Sequence, residues 1–223
     1  MLDEPLTNLD ARIRIALRLE FQKLHRETGR TILYVTHDQV EAMSMSDRIG
    51  VLNAGRFEQI GTPDDIYHRP ASAFVARFIG TPPMNILDCS LIEERGRLTA
   101  KGDGFVAGME LKPGRSLPAR AAIGVRPEAI TAAAARSELA PHGGEVVWVE
   151  RFGAYQVLEV RLGSKLIKIR TPAGHPVSRE GPVFCGFSVK PDHILDRDSG
   201  LFLRGSVDKR SDPIARMEEE KCV

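Results

Sequence analysis

The run Gly80-Thr81-Pro82-Pro83-Met84 constrains the fold of this chain more than any other feature. Proline lacks a backbone N–H and fixes φ, so neither a helix interior nor a central strand runs through two of them in succession. The apolar pattern also changes across the run. Before it, apolar residues at helical spacing alternate with short continuous runs; after it come short strand-like segments separated by Gly and Pro. Such a chain is expected to fold as an α/β segment over residues 1–80 and an all-β domain over 81–205. The tail, 206–223, is charged and weakly apolar and is expected to fray.

Within the first half, Asp10 can cap a helix that carries Ile13, Leu17, Phe21 and Leu24 on one face, with Gly29 as its stop. Thr31-Ile32-Leu33-Tyr34-Val35-Thr36 reads as a strand buried on both faces, because its apolar residues run on without alternation. Asp38 and Glu41 have the spacing of a capping box that opens a short helix through Met45. Residues 49–52 and 56–60, around Asn53-Ala54-Gly55, predict a hairpin, and Thr62-Pro63 opens another helix. A last amphipathic helix is expected around Phe74, Val75, Phe78 and Ile79.

In the second half, strands are expected at 120–125, 145–150, 155–162, 165–170 and 183–190, the texture of a small β-barrel. Trp148 and Phe152 could form a sugar-stacking platform, but an aromatic in a strand of a small barrel is expected in the core. His142, His175 and His193 show no metal-binding spacing.

The chain's 31 basic residues nearly balance its 30 acidic ones, and no basic face clusters, so nucleic acid is not an expected partner. No apolar run approaches the roughly 20 residues a membrane-spanning helix needs. The acidic start Met1-Leu2-Asp3-Glu4-Pro5 is unlike a secretory signal, which gives a cytoplasmic expectation. Cys89, Cys185 and Cys222 are odd in number and far apart, so reduced thiols are expected rather than disulfides or zinc ligands.

The residues with the most chemistry lie near the N-terminus. Asp3 and Glu4 stand where a strand would end, and strand C-termini are where open α/β sheets bind ligands. Adjacent acids there suit a hydrated magnesium ion and an aligned water. His37, at the end of a second strand, could reach the same crevice. Asn8-Leu9-Asp10 lies between them at the start of the first helix.

Leu2-Asp3-Glu4-Pro5, Asn8-Leu9-Asp10, Tyr34-Val35-Thr36-His37-Asp38, Ala42-Met43 and Ser46-Asp47-Arg48 occur in the order found in nucleotide-binding subunits of ABC transporters. Asn53-Ala54-Gly55-Arg56, Gly61-Thr62-Pro63 and Tyr67-His68-Arg69-Pro70 resemble the sugar and glycerol-phosphate importer group, as does Ile123-Gly124-Val125-Arg126-Pro127-Glu128. The resemblance runs from residue 1 to about residue 205. It implies the α/β remnant of a P-loop ATPase domain followed by an all-β, OB-like (TOBE-type) regulatory barrel. By the same resemblance, Asp3 is the Walker B aspartate that supports magnesium through water, and Glu4 is the catalytic glutamate. Asn8, Leu9 and Asp10 form the D-loop facing a partner subunit, and His37 is the switch histidine at the γ-phosphate. It further implies ATP and Mg2+ as cofactors, with a homodimer of ATPase subunits, two membrane permease subunits and a solute-binding protein as partners. The expected location is the cytoplasmic face of the inner membrane.

No G-x-x-x-x-G-K-[ST] loop occurs among the 223 residues, and neither the LSGGQ signature nor the glutamine loop is found. The expectation is therefore a truncated subunit that starts at Walker B, binds ATP poorly and is inactive alone. Its residues 1–80 are expected to be destabilised, while the barrel folds by itself. Two other readings stay open: a non-catalytic regulatory, ligand-sensing or dimerising module, and one half of a split ATPase.

Overall fold

The computed structural model describes residues 1–94, 97–110, 116–190 and 193–203. The expected frayed tail and Cys222 lie outside the described residues. The chain divides into two compact units between His68 and Arg69, ahead of the Gly80–Met84 run.

In the first unit, a two-residue strand β1 (Leu2–Asp3) pairs in parallel with β2 (Tyr34–Val35). Helix α1 (Ala11–Thr28) connects them. The Asp10 carboxylate caps α1, accepting from the N–H groups of Arg12 (2.9 Å) and Ile13 (3.0 Å). Gly29 ends it at φ 61°, a conformation that carries a steric penalty for any side chain. Helix α2 (Gln39–Met45), the antiparallel hairpin of β3 (Ile49–Asn53) and β4 (Arg56–Gly61), and helix α3 (Pro63–His68) complete the unit.

The doubly buried strand expected at 31–36 is not what forms. Only Tyr34 and Val35 pair, and burial alternates along the segment, leaving Leu33 61% and Val35 43% exposed. Among the described residues β1 is its one strand neighbour, and the ring of Phe21 meets Tyr34 edge-on at 6.3 Å. The apolar run therefore has cover on one face only. Likewise, none of α1's residues is buried, and Ile13 and Leu24 of its expected apolar face are about half exposed.

The second unit begins with helix α4 (Ala73–Phe78), which is capped by Ser72. Its Ala76 packs with Met84, Ala122, Leu195 and Phe202, which is why this helix belongs with the sheets. The buried Arg126 reinforces that attachment: its Nη1 donates to the carbonyls of Ala76 and Ile79.

The described strands of this unit form two five-stranded sheets. One orders β12 (Lys165–Pro172), β11 (Tyr155–Leu162), β10 (His142–Arg151), β13 (Gly181–Phe187) and β9 (Ile130–Ala133). The other orders β14 (Ile194–Asp196), β8 (Ala121–Val125), β5 (Asn85–Glu94), β6 (Arg97–Gly102) and β7 (Phe105–Glu110). The first sheet curls, so that its edge strand β12 approaches β9 at its other edge. Leu98, Ile123, Leu158, Val160, Ile167, Ile169 and Val183 are fully enclosed in the core that both sheets contribute to.

Side chains join the sheets at their edges. The Asn85 carboxamide bonds the backbone of Lys168, His142 Nε2 lies 2.8 Å from the Val106 carbonyl oxygen, and Asp103 accepts from the Ser164 N–H at 2.7 Å. At Gly186, any Cβ would collide with the Leu139 carbonyl, so the close approach of that loop to β13 requires glycine.

Trp148 departs from its expected place in the core. A bulge between Val146 and Trp148 shifts the alternation of β10 by one residue. Val146 therefore points inward while Trp148 turns out to 64% exposure. Phe152, also exposed, stacks on Tyr155 with ring centroids 4.9 Å apart, and Arg170 covers the Tyr155 ring at 4.1 Å.

Candidate functional site

Parallel pairing of β1 and β2 sets the C-terminal ends of the two strands side by side. The Leu2 N–H donates to Leu33 O and the Glu4 N–H to Val35 O, each at 2.8 Å. Asp3 lies opposite Val35, and one residue further on Glu4 meets His37 across the gap. His37 Nδ1 is 2.9 Å from Glu4 Oε1, and the Thr7 hydroxyl donates to Glu4 Oε2 at 3.2 Å. Both oxygens of one carboxylate are thereby oriented.

The backbone of Glu4 has φ 43°, in the left-handed region. A non-glycine residue there typically carries about 1–2 kcal/mol of strain. The Glu4 backbone bonds hold this conformation: its N–H is tied to β2, and its carbonyl accepts from the Thr7 N–H at 3.3 Å. The turn that follows is anchored by Leu6, which is 1% exposed.

The electrostatics follow from the pair. The hydrogen bond from His37 is the main cause holding the Glu4 carboxyl below its ordinary range, with the Thr7 hydroxyl second. The same bond to Glu4 raises the His37 imidazole above its ordinary value, and the Glu4 charge adds to it. Both groups face solvent.

Of the expected site residues, Glu4 and His37 come together, and Asp3 precedes Glu4 on β1 opposite Val35. Asn8 and Leu9 lie in the turn before α1, and the Asp10 carboxylate is engaged in capping that helix. Among the described residues no group of three or more His, Cys, Asp or Glu side chains forms a metal cage. Asp3 and Glu4 are exposed carboxylates at the end of β1, oxygen donors of the type magnesium takes alongside water.

Two supporting residues escaped the sequence reading in this role. Glu41, 3% exposed, does not close a capping box. Its Oε2 accepts from the hydroxyls of Tyr34 (3.0 Å) and Thr36 (2.8 Å), while the Asp38 N–H bonds Thr36 Oγ1. Burial and then the Glu41 bond push the Tyr34 hydroxyl above its ordinary range. The signal was present, since Tyr34 and Thr36 are two apart in a strand and so share a face. Arg14 gave no local signal, because its partner Asp38 is 24 residues away.

Comparison with known proteins bears on what this arrangement is for. The chain is 44% identical over 217 residues to the sn-glycerol-3-phosphate import ATP-binding protein UgpC of Cupriavidus pinatubonensis, covering 90% of this chain and 56% of that protein. It is 47% identical over 177 residues to the UgpC of Cupriavidus necator, covering 76% of this chain and 48% of the relative. Over 214 residues it is 40% identical to the trehalose/maltose import ATP-binding protein MalK of Thermococcus litoralis, again covering 90% of this chain and 56% of the relative. The chain thus spans about half the length of the curated relatives it matches. No protein-family model matches it.

Proposed function

Since the chain belongs to the family of ATP-binding subunits of sugar and glycerol-phosphate ABC importers, we propose that its first unit supplies the hydrolytic half of an ATPase site. The second unit is then the OB-like, TOBE-type regulatory barrel. The observation that carries this reading is the 2.9 Å pairing of Glu4 with His37 at the ends of adjacent parallel strands.

The chemistry assigns each side chain a task. Glu4, with its oxygens oriented by His37 and Thr7, positions the attacking water and receives its proton. His37 turns Nδ1 toward Glu4, which leaves Nε2 on the far side of the ring to meet the γ-phosphate. Asp3 supports magnesium through water; the ion, when bound, offsets the charge of the phosphates. Asn8, Leu9 and Asp10 face a second ATPase subunit. The partners in this reading are that subunit, two membrane permeases and a solute-binding protein, at the cytoplasmic face of the membrane. No described helix is long and apolar enough to cross a membrane.

The 223 residues contain no phosphate-gripping loop. Losing three or four charge-assisted hydrogen bonds to phosphate removes about 6 kcal/mol of binding, a factor of about ten thousand in affinity. The chain alone is therefore a poor ATP binder and inactive. A regulatory or dimerising module is the second reading. It is favoured by the distribution of buried residues, with a large enclosed core in the second unit and no buried residue on α1.

The test is turnover of Mg·ATP by the purified chain and by the same chain fused behind the phosphate-loop portion of the Cupriavidus pinatubonensis relative. The fusion is expected to hydrolyse ATP and Glu4→Gln to reduce its kcat at least about hundredfold; the isolated chain should show no turnover. Hydrolysis that survives Glu4→Gln in the fusion would overturn the assignment of Glu4. Glu4-dependent hydrolysis by the chain alone would overturn its inactivity.

A further inference from the structure

We propose that Arg14 is a positioning residue that ties the Asn8-Leu9-Asp10 turn to the segment bearing His37, an inference that rests on the reading of those two segments given above. Arg14 lies in the first turn of α1, where its own N–H donates to Asp10 O at 2.9 Å. Its guanidinium reaches two segments at once. Nη2 donates to the Leu9 carbonyl at 3.2 Å, and Nη1 approaches Asp38 Oδ2 at 3.4 Å. Arg14 and Asp38 are both about two-thirds covered, and Arg14 Nε is buried without a hydrogen-bond partner. A cation that gives up hydration at one nitrogen to place its other two is held for its geometry.

Asp38 divides its oxygens accordingly. Oδ1 caps α2 by accepting from the Val40 N–H (2.7 Å) and the Glu41 N–H (3.3 Å), so Oδ2 is the oxygen turned to Arg14. The Asp38 N–H is fixed on Thr36 Oγ1, which bonds the buried Glu41. The path from Leu9 through Arg14 and Asp38 thus ends on the residue next to His37, and every step is a hydrogen bond or an ion pair. A shift of the turn carrying Leu9 pulls on the guanidinium and, through it, on the segment that orients His37. Only a forked donor spans both partners; an ammonium at the same place reaches one.

The experiment is a double-mutant cycle read by amide NMR on the full chain without nucleotide. Asp38→Asn keeps the cap oxygen and removes the charge, and it is expected to move the amide resonances of Leu9 and Asp10. That movement should fall about fivefold or more in an Arg14→Met background and equally in Arg14→Lys, where the positive charge survives. Asp38→Asn shifts confined to residues 36–42, or undiminished in Arg14→Lys, would overturn the proposal. So would loss of the fold of residues 1–68 in both Arg14 variants, because Arg14 would then hold the unit together rather than pair two segments. In the phosphate-loop fusion, Arg14→Lys is expected to lower kcat about tenfold with the KM for ATP unchanged, and an unchanged kcat overturns the proposal. An inactive fusion counts against the ATPase reading alone, since the NMR cycle needs no turnover.

Discussion

Asn85 bonds both backbone groups of Lys168, accepting from its N–H at 2.8 Å and donating to its carbonyl at 2.9 Å. One carboxamide thereby occupies the ladder position of a strand at the edge of β12 and joins β5 to the other sheet. It also donates to Val125 O at 3.2 Å. Asn85→Ala leaves these groups without that partner and is expected to cost about 2 kcal/mol in urea unfolding of the second unit. Asn85→Asp keeps the acceptor but sets a carboxylate against two carbonyls, so it should cost at least as much. The Lys168 amide should exchange faster in both variants.

Glu41 underpins the segment that carries His37. Glu41→Leu strips the Tyr34 and Thr36 hydroxyls of their shared acceptor in a buried place. A loss of about 2–4 kcal/mol is expected, read as faster amide exchange along α2. Glu41→Gln retains an acceptor oxygen and should cost about 1 kcal/mol. It should also let the Tyr34 hydroxyl titrate at lower pH than in the parent, visible in the ultraviolet spectrum, because the Glu41 carboxylate contributes to raising it.

The Glu4–His37 pair predicts a pH window. Glu4 is shifted down from 4.5, so its share of stability is present above that value and is lost as pH falls through the folded value. His37 is shifted up from 6.5, so its share is complete below that value and is lost as pH rises through the folded one. The pairing is therefore complete between pH 4.5 and 6.5 and fades on either side. An NMR titration of the His37 ring protons should give a midpoint above 6.5, and Glu4→Gln should bring it back toward that value.

Burial pushes the Cys89 and Cys185 thiols up from 9.0 to about 11. Two units correspond to about a hundredfold less thiolate, the reactive form, near neutral pH. In a Cys222→Ser chain at pH 8, a thiol-specific disulfide reagent should label the native protein at least about a hundredfold more slowly than the urea-unfolded one. Equal rates would show that neither thiol is sequestered.

Local grammar carried much of the fold. The Asp10 cap, the Gly29 stop, the hairpin around Asn53-Ala54-Gly55 and the Pro63 helix start were legible because each depends on neighbours in sequence. Strand β11 was read at its observed bounds for the same reason. Strands β6 and β7 were not foreseen, as their short, weakly alternating segments draw stability from long-range packing around Leu98, Ala100 and Phe105. The bulge that turns Trp148 outward had no signature either, since it is defined by register against β11. Around the proposed site, Glu4 and His37 stood out in the sequence by their chemistry, whereas Glu41 and Arg14 did not, because their partners are set by the fold.

Trp148 is the only tryptophan in the chain, and it stands in water on a hydrogen-bonded strand. Its emission should be that of a hydrated indole already in the native protein and should move little when the second unit unfolds. Anything that settles on that side of β10 would shield the indole and shift its emission to the blue. The chain thus carries a built-in optical gauge of what covers this sheet, and one nearly blind to denaturation.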